Sequence, residues 1–202
     1  MALAHRLRRV APVLLAVLFL SGCGVNTIPT LDEQVKAAWS QVLNQYQRRA
    51  DLIPNLVETV RGYATQERET LTAVVEARAK ATQTQIPPDI LTNPEAFQRF
   101  QQNQDALTSA LSRLLVVVER YPDLKSNQNF LQLQAQLEGT ENRISVARRD
   151  YIQAVQAYNT EIRTFPGVIW ASTLYRDAKV KENFQAQPGA EQAPRVDFGK
   201  KS

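Results

Sequence analysis

From about Leu31 to Phe184, apolar and aromatic residues recur at steps of three and four, with polar residues between them. That spacing gathers the apolar residues on one face of a helix, and no stretch alternates as a strand with a hairpin turn would. The first pattern runs from about Leu31 to Thr82 through Val35, Trp39, Val42, Tyr46, Ile53, Leu56, Val60, Tyr63, Leu71 and Val74. Pro54 interrupts it. A proline inside a helix removes a hydrogen bond and costs about 3 kcal/mol or kinks the helix. The alternative is a new helix capped by Asp51 that carries Pro54 in its first turn. The preferred reading is one long, nearly continuous helix kinked at Pro54.

Gln83 to Pro94 contains Pro87, Pro88, Asn93 and Pro94 and reads as a connection. A second helix is predicted from about Pro94 to Arg120, with Phe97, Phe100, Leu107, Leu111, Leu114, Val118 and Tyr121 in register and only Gln104 polar in the stripe. Tyr121 to Lys125 is a tight turn built on Pro122 and Asp123. A third helix, capped by Ser126 or Asn127, continues to about Phe165 and stops at Pro166-Gly167. A weaker fourth segment spans about Val168 to Phe184. From Ala186 onward Pro, Gly, Gln and charge dominate, which predicts a mobile tail. The fold expected is all-α, an antiparallel four-helix bundle over residues 31–185 with a long first helix. A first helix of some fifty residues would extend about 75 Å against about 40 Å for the second. Its end near Trp39 and Tyr46 would then project, to be covered by the fourth segment or by another molecule.

The N-terminus changes the reading of the charge. Arg6, Arg8 and Arg9 precede an apolar run from Val10 to Leu20, and Leu20-Ser21-Gly22-Cys23 follows. The run is shorter than the roughly 20 residues a membrane-crossing helix needs, and the three parts together form an export signal. The tetrad is similar to a bacterial lipobox. Residues 1–22 are thus expected to be cleaved, with acyl chains such as palmitate on Cys23 and residues 23–30 as a lipidated tether. Cys23 is the only cysteine, so it has no internal disulfide partner. Two or three acyl chains anchor stably, at about 0.8 kcal/mol per buried methylene.

The net charge of +4 belongs mostly to this leader: without its three arginines, 21 Lys+Arg face 20 Asp+Glu. A pI of 9.3 would suggest a nucleic-acid or anionic-membrane binder, and the near-neutral mature chain removes most of that suggestion. The one histidine, His5, also leaves with the leader. Common zinc sites, Ser-His-Asp triads and Cys-His pairs are then excluded. No catalytic residue and no metal site is expected, nor any cofactor beyond the covalent lipid.

Ala38-Trp39-Ser40, Arg48 to Ala64 (RRADLIPNLVETVRGYA), Tyr121 to Gln134 (YPDLKSNQNFLQLQ), Glu138 to Tyr151, Tyr158 to Pro166 and APRVDF near the C-terminus resemble the LemA family. The resemblance spans about Leu31 to Phe198. It implies an antiparallel four-helix bundle attached to the cell envelope, and it carries over no catalytic residue. Many relatives begin with a transmembrane helix, whereas this chain has a lipobox.

Two polar constellations are candidates for an interaction surface. Arg49, Asp51, Asn55 and Glu58 cluster around Pro54, and Asn142 and Arg143 lie midway along the third helix beside Thr140, which falls in the apolar register. The plain reading makes the first a solvated face and Thr140 a register-setting hydrogen bond within the bundle. Glu138 and Glu141 lack the histidines of a di-iron site. Arg148-Arg149 and Lys179, Lys181, Lys200 and Lys201 read as solvated surface. The function expected is a non-enzymatic, lipid-anchored scaffold or adaptor that binds another protein or itself. The alternative is a small-molecule or peptide-binding module lined by Arg49, Asp51 and Asn142; a carboxylate-pair hydrolase is the least favoured. Gly24 after Cys23 predicts the outer membrane, facing the periplasm, if the host has one, and otherwise the outer face of the cell membrane.

Overall fold

The computed structural model describes residues 24–83 and 86–185. Its helices are α1 (Thr27–Tyr63), α2 (Arg68–Gln83), α3 (Pro94–Val118), α4 (Pro122–Lys125), α5 (Gln128–Glu161) and α6 (Gly167–Thr173), with a 3-10 turn at Ile90–Thr92. No described residue is in a strand. The four longer helices run up, down, up and down as an antiparallel bundle. The pairings Trp39–Tyr151 and Arg49–Glu141 set α1 against α5, and Gln104–Ala81 sets α3 against α2.

Starts and stops follow local chemistry. Asn93 caps α3 by accepting a hydrogen bond from the Ala96 amide at 3.1 Å, with Pro94 at the first helical position. Asn127 caps α5 in the same way through the Phe130 amide at 3.0 Å. Helix α1 begins at Thr27, inside the stretch read as tether, because Ile28 is buried.

The first helix departs from expectation. It runs unbroken through Pro54, but it ends at Tyr63, and the chain reverses over residues 64–67 so that α2 returns along α1. The supposed single stripe was two stripes: between Ala64 and Leu71 there is no apolar residue to bury, and Tyr63 is exposed. Glu67 pins the reversal by accepting from Arg120 at 3.1 Å and from the Tyr121 hydroxyl at 3.0 Å.

The hairpin also explains Pro54. Lacking an N–H, Pro54 leaves the Ala50 carbonyl without its helical donor. Arg78 of α2 fills the vacancy: its Nε donates to the Ala50 oxygen at 2.8 Å. The proline thus creates an acceptor that ties the two helices together. Arg78→Met is expected to cost about 1–3 kcal/mol, since it strands a buried carbonyl. In a Pro54→Ala background residue 54 supplies the amide itself, and the same change should cost less than about 0.5 kcal/mol. A double-mutant cycle by urea denaturation measures the difference.

Because α2 is short, the lower half of the bundle lacks a fourth helix. An irregular strap, residues 178–185, occupies that place. Phe184 packs on Phe97 at 5.1 Å, Tyr151 at 5.5 Å and Trp39 at 6.2 Å between ring centroids. Asn159 and Gln101 each make paired amide bonds to the strap backbone, at Lys181 and at Gln185. Tyr151 donates to the Glu182 carbonyl at 2.7 Å, and the Glu182 amide donates to Leu91. The end near Trp39 and Tyr46 is therefore covered from within, and Lys181 and Arg148 are not solvated surface. Lys181 reaches Asp32 at 2.7 Å, and Arg148 lies over the Phe184 ring at 4.3 Å. The fourth segment is helical only over α6, and the tail expected from residue 186 lies outside the described residues.

The Asp32–Lys181 pair makes the strap acid-sensitive. Burial alone would raise the Asp32 carboxyl, but hydrogen bonds from Lys181 and Lys36 hold it below the usual carboxylate range; Tyr158 of α5 is the other titratable group beside it. A carboxyl with a lowered folded pKa contributes stability above its unfolded pKa of about 4, and that contribution is lost as pH falls through the folded value. Protection of the Lys181 and Glu182 amides, taken as exchange relative to the intrinsic rate at each pH, should fall below about pH 4. Asp32→Asn should raise exchange near neutral pH and flatten the acid response.

Candidate functional site

Three polar residues interrupt otherwise apolar stripes: Arg49 on α1, Gln104 on α3 and Thr140 on α5. All are buried, at 1%, 5% and 0% exposure. They lie near one level of the bundle, between two apolar clusters. The upper cluster holds Ile53, Leu56, Leu107, Leu114 and Leu137, and the lower holds Trp39, Tyr46, Phe97, Phe100 and Tyr151.

Arg49 is the centre of this layer. One terminal nitrogen donates to Thr108 Oγ1 at 2.8 Å and to the Glu141 carboxylate at 3.1 and 3.4 Å. The other donates to Gln104 Oε1 at 2.6 Å and to the Gln104 carbonyl at 3.3 Å. The Gln104 amide passes the chain on to the Ala81 carbonyl, in the last turn of α2, at 3.2 Å. All four long helices thus share one network. The guanidinium also sits over the Tyr46 ring at 5.0 Å, where the ring face attracts a cation. Burial raises the Tyr46 phenol pKa, so the ring stays neutral beneath that charge. Thr140 bonds within its own helix, to Gln136 at 2.7 Å, and accepts from Arg143 at 3.1 Å. It is a satisfied buried hydroxyl rather than a bond between helices.

The carboxylate partner of Arg49 is the accessible member of the pair. Glu141 lines a groove of about 320 Å³ between α3 and α5, with Thr108, Leu111, Ser112, Leu137, Glu138 and Asn142 around it. The structure divides the predicted interaction residues. Arg49, expected on an exposed face, is inside the bundle because its position continues the three-four register from Tyr46 to Ile53. Asp51, Pro54, Asn55 and Glu58 remain exposed on the outside of α1. Asp51 accepts from Gln47 at 2.7 Å, and Glu58 pairs with Arg61 at 2.9 Å. Asn142 and Arg143 are exposed on α5. A pocket joining Arg49, Asp51 and Asn142 does not form; the groove unites Glu141 and Asn142 above Arg49, without Asp51.

Sequence reasoning missed Gln104, Thr108 and Glu141 as partners of Arg49. Gln104 in an apolar stripe was the available signal. Among the described residues no group of histidine, cysteine or carboxylate side chains is placed to hold a metal, and no helix is long and apolar enough to cross a membrane. Cys23 lies outside the described residues.

Comparison with known proteins fits this architecture. Two magnetosome proteins of Paramagnetospirillum magneticum, MamQ 1 and MamQ 2, are each 26% identical over 183 residues, covering 82% of this chain and 66% of theirs. Protein LemA of Metamycoplasma hominis is 25% identical over 140 residues, covering 69% of this chain and 60% of its own. The chain thus spans less than two thirds of the length of these relatives. The LemA family profile matches residues 38–198, which takes in the buried Arg49 layer and the strap, and the chain belongs to the LemA family.

Proposed function

We propose that this protein is a lipid-anchored, non-enzymatic scaffold or adaptor of the cell envelope. The observation that carries the reading is the position of Gly24. A Cβ placed there would stand 3.7 Å from Trp170 Nε1 and 3.9 Å from Pro166 Cγ, so the residue after Cys23 is packed on α6 at one pole of the bundle. An acyl group on Cys23 would hold that pole at the membrane and leave the α1 face at Asp51, Pro54, Asn55 and Glu58 open to a partner. The names of the MamQ relatives, as magnetosome proteins, support a role at a defined cellular structure.

The test is crosslinking in cells from a photoreactive residue at position 58, with mass spectrometry of the products and of the N-terminal peptide. A discrete heterologous product identifies an adaptor, and self-crosslinks identify a homo-oligomeric scaffold. No product, with a monomeric purified protein, rejects both.

Outer-membrane destination rests on Gly24 in place of a retention-favouring aspartate. Gly24 also has φ +129°, a conformation that side chains disfavour. Membrane fractionation of Gly24→Asp therefore needs Gly24→Ser beside it. Sorting predicts that only the aspartate moves the protein to the inner membrane.

The second reading, a ligand-binding module, is favoured by the α3–α5 groove over Glu141. Under this reading Leu111→Trp would fill the groove and abolish binding while leaving crosslinks from position 58 unchanged.

A further inference from the structure

Exposed large apolar residues are scattered singly over most of the described surface, as at Val75, Val116 and Leu131. One region differs. Phe165, Val168, Ile169 and Leu174 are 80%, 41%, 45% and 61% exposed, and all lie within ten residues at the corner between α5 and α6. Val168 and Ile169 lie in the first turn of α6, and Phe165 precedes that helix by two residues. Gly167 lets the corner close tightly, since a Cβ there would meet the Glu161 carbonyl oxygen at 2.2 Å. The corner is thus a shaped, apolar protrusion set by backbone packing.

Two further features say what lies against it. The first is where the described chain begins. Gly24, which follows Cys23 in the sequence, is seated on Pro166 and Trp170 within this corner. The second is charge. From residue 163 to 179 the chain carries exposed Arg163, Arg176 and Lys179 against one carboxylate, Asp177. Exposed apolar side chains with a basic rim match the interface of a bilayer with anionic headgroups; Trp170 is partly buried beside them, with its ring nitrogen covered.

We infer that the corner Phe165–Leu174, where Gly24 packs, is a membrane-docking face that rests on an anionic bilayer surface. The inference rests on the anchoring reading above and gives it an orientation. Helix α1, 37 residues and so about 55 Å long, then projects from the membrane and carries the residue 64–67 reversal to its far end.

The test uses the full chain as isolated from membranes, reconstituted into phosphatidylethanolamine–phosphatidylglycerol vesicles with or without brominated acyl chains. Trp170 and Trp39 are the two tryptophans. Trp39 is buried in the lower core at 6% exposure, so Trp170→Phe separates its emission from that of Trp170. Brominated lipid should lower the Trp170 emission if the corner sits at the interface. The quenching should vanish in Trp170→Phe, fall in Phe165→Ser/Ile169→Ser, and persist in Val116→Ser at the far end. Equal emission from both vesicle types by vesicle-bound wild-type protein would overturn the docking face. So would loss of quenching accompanied by crosslinks between two copies at position 165, which would mark a dimer interface instead. Mass spectrometry of the N-terminal peptide reads anchoring separately. An unmodified Cys23 with Trp170 still quenched removes the lipid and keeps the docking face, whereas an acylated Cys23 with no quenching removes the docking face alone.

Discussion

Replacing Arg49 by alanine is expected to cost about 3–5 kcal/mol, a large share of the 5–15 kcal/mol that holds a domain of this size together. The cost lies in what is left behind. Glu141 loses the cation that balances it, and Gln104 Oε1 and Thr108 Oγ1 lose their donor. Of these three, Gln104 is the one water reaches poorly, at 5% exposed, while Thr108 and Glu141 are half-buried. Arg49→Lys should recover only part of the loss, because a single ammonium cannot reach Thr108, Glu141 and Gln104 through two separated nitrogens. The triple replacement Arg49→Met/Gln104→Leu/Glu141→Leu removes charge and polar partners together. It is expected to unfold at a higher urea concentration than Arg49→Ala, close to the natural chain or above it. If Arg49→Ala and the triple variant are equally unstable in urea melts followed by circular dichroism, the layer is not held by the network described. The network's contribution to specificity is then open to measurement. With the polar layer gone, α3 and α5 lose the bonds through Arg49 that fix their register at this level, and amide exchange in α3 around residue 104 should become heterogeneous.

Trp39→Ala should be comparably severe, at about 3–5 kcal/mol for an aromatic side chain removed from a core. Trp39 is surrounded by Phe100 at 5.2 Å, Tyr151 at 5.4 Å, Phe97 at 5.6 Å and Phe184 at 6.2 Å. Phe184 belongs to the strap, so the cavity opens beneath it and the strap loses part of its seat. Trypsin cleavage after Lys179 and Lys181 should therefore accelerate in Trp39→Ala under native conditions. Leu114→Ala, in the upper cluster, provides the contrast. It should cost about 2–5 kcal/mol in global stability while leaving the strap as protected as in the natural chain. Equal protease sensitivity in the two variants would mean that the strap reports global unfolding rather than the state of the lower core.

What was legible from residues alone was what local chemistry decides. The stripes of α3 and α5 could be traced because each helix buries one face along its whole length. Their starts could be placed because Pro94 suits a first helical turn and Ser126 or Asn127 offers a cap, of which Asn127 is the one used; the Asn93 cap emerged only in the structure. The polar character of the Arg48–Arg61 segment was equally plain. Its division into an inward Arg49 and an outward Asp51, Asn55 and Glu58 was not, since an arginine in register is buried only if carboxylate and amide partners await it on other helices.

Tertiary structure decided the rest. The reversal after Tyr63 was hidden because the interval from Val60 to Leu71 is close to a whole number of helical turns, so two antiparallel stripes looked like one. Pro54 acquired a reason only when Arg78, 24 positions later, came back alongside the carbonyl that the proline had freed. The strap has no periodicity to detect. It is fixed by the side-chain amides of Asn159 and Gln101 and by the aromatic seat around Trp39, which three separate helices supply. By itself the sequence determined an all-helical chain with one cysteine, Cys23, and one histidine, His5. Which polar groups are inside, where the chain turns back, and which apolar residues stay exposed beside Gly24 depend on contacts between residues far apart in the chain, and only the packed bundle sets those.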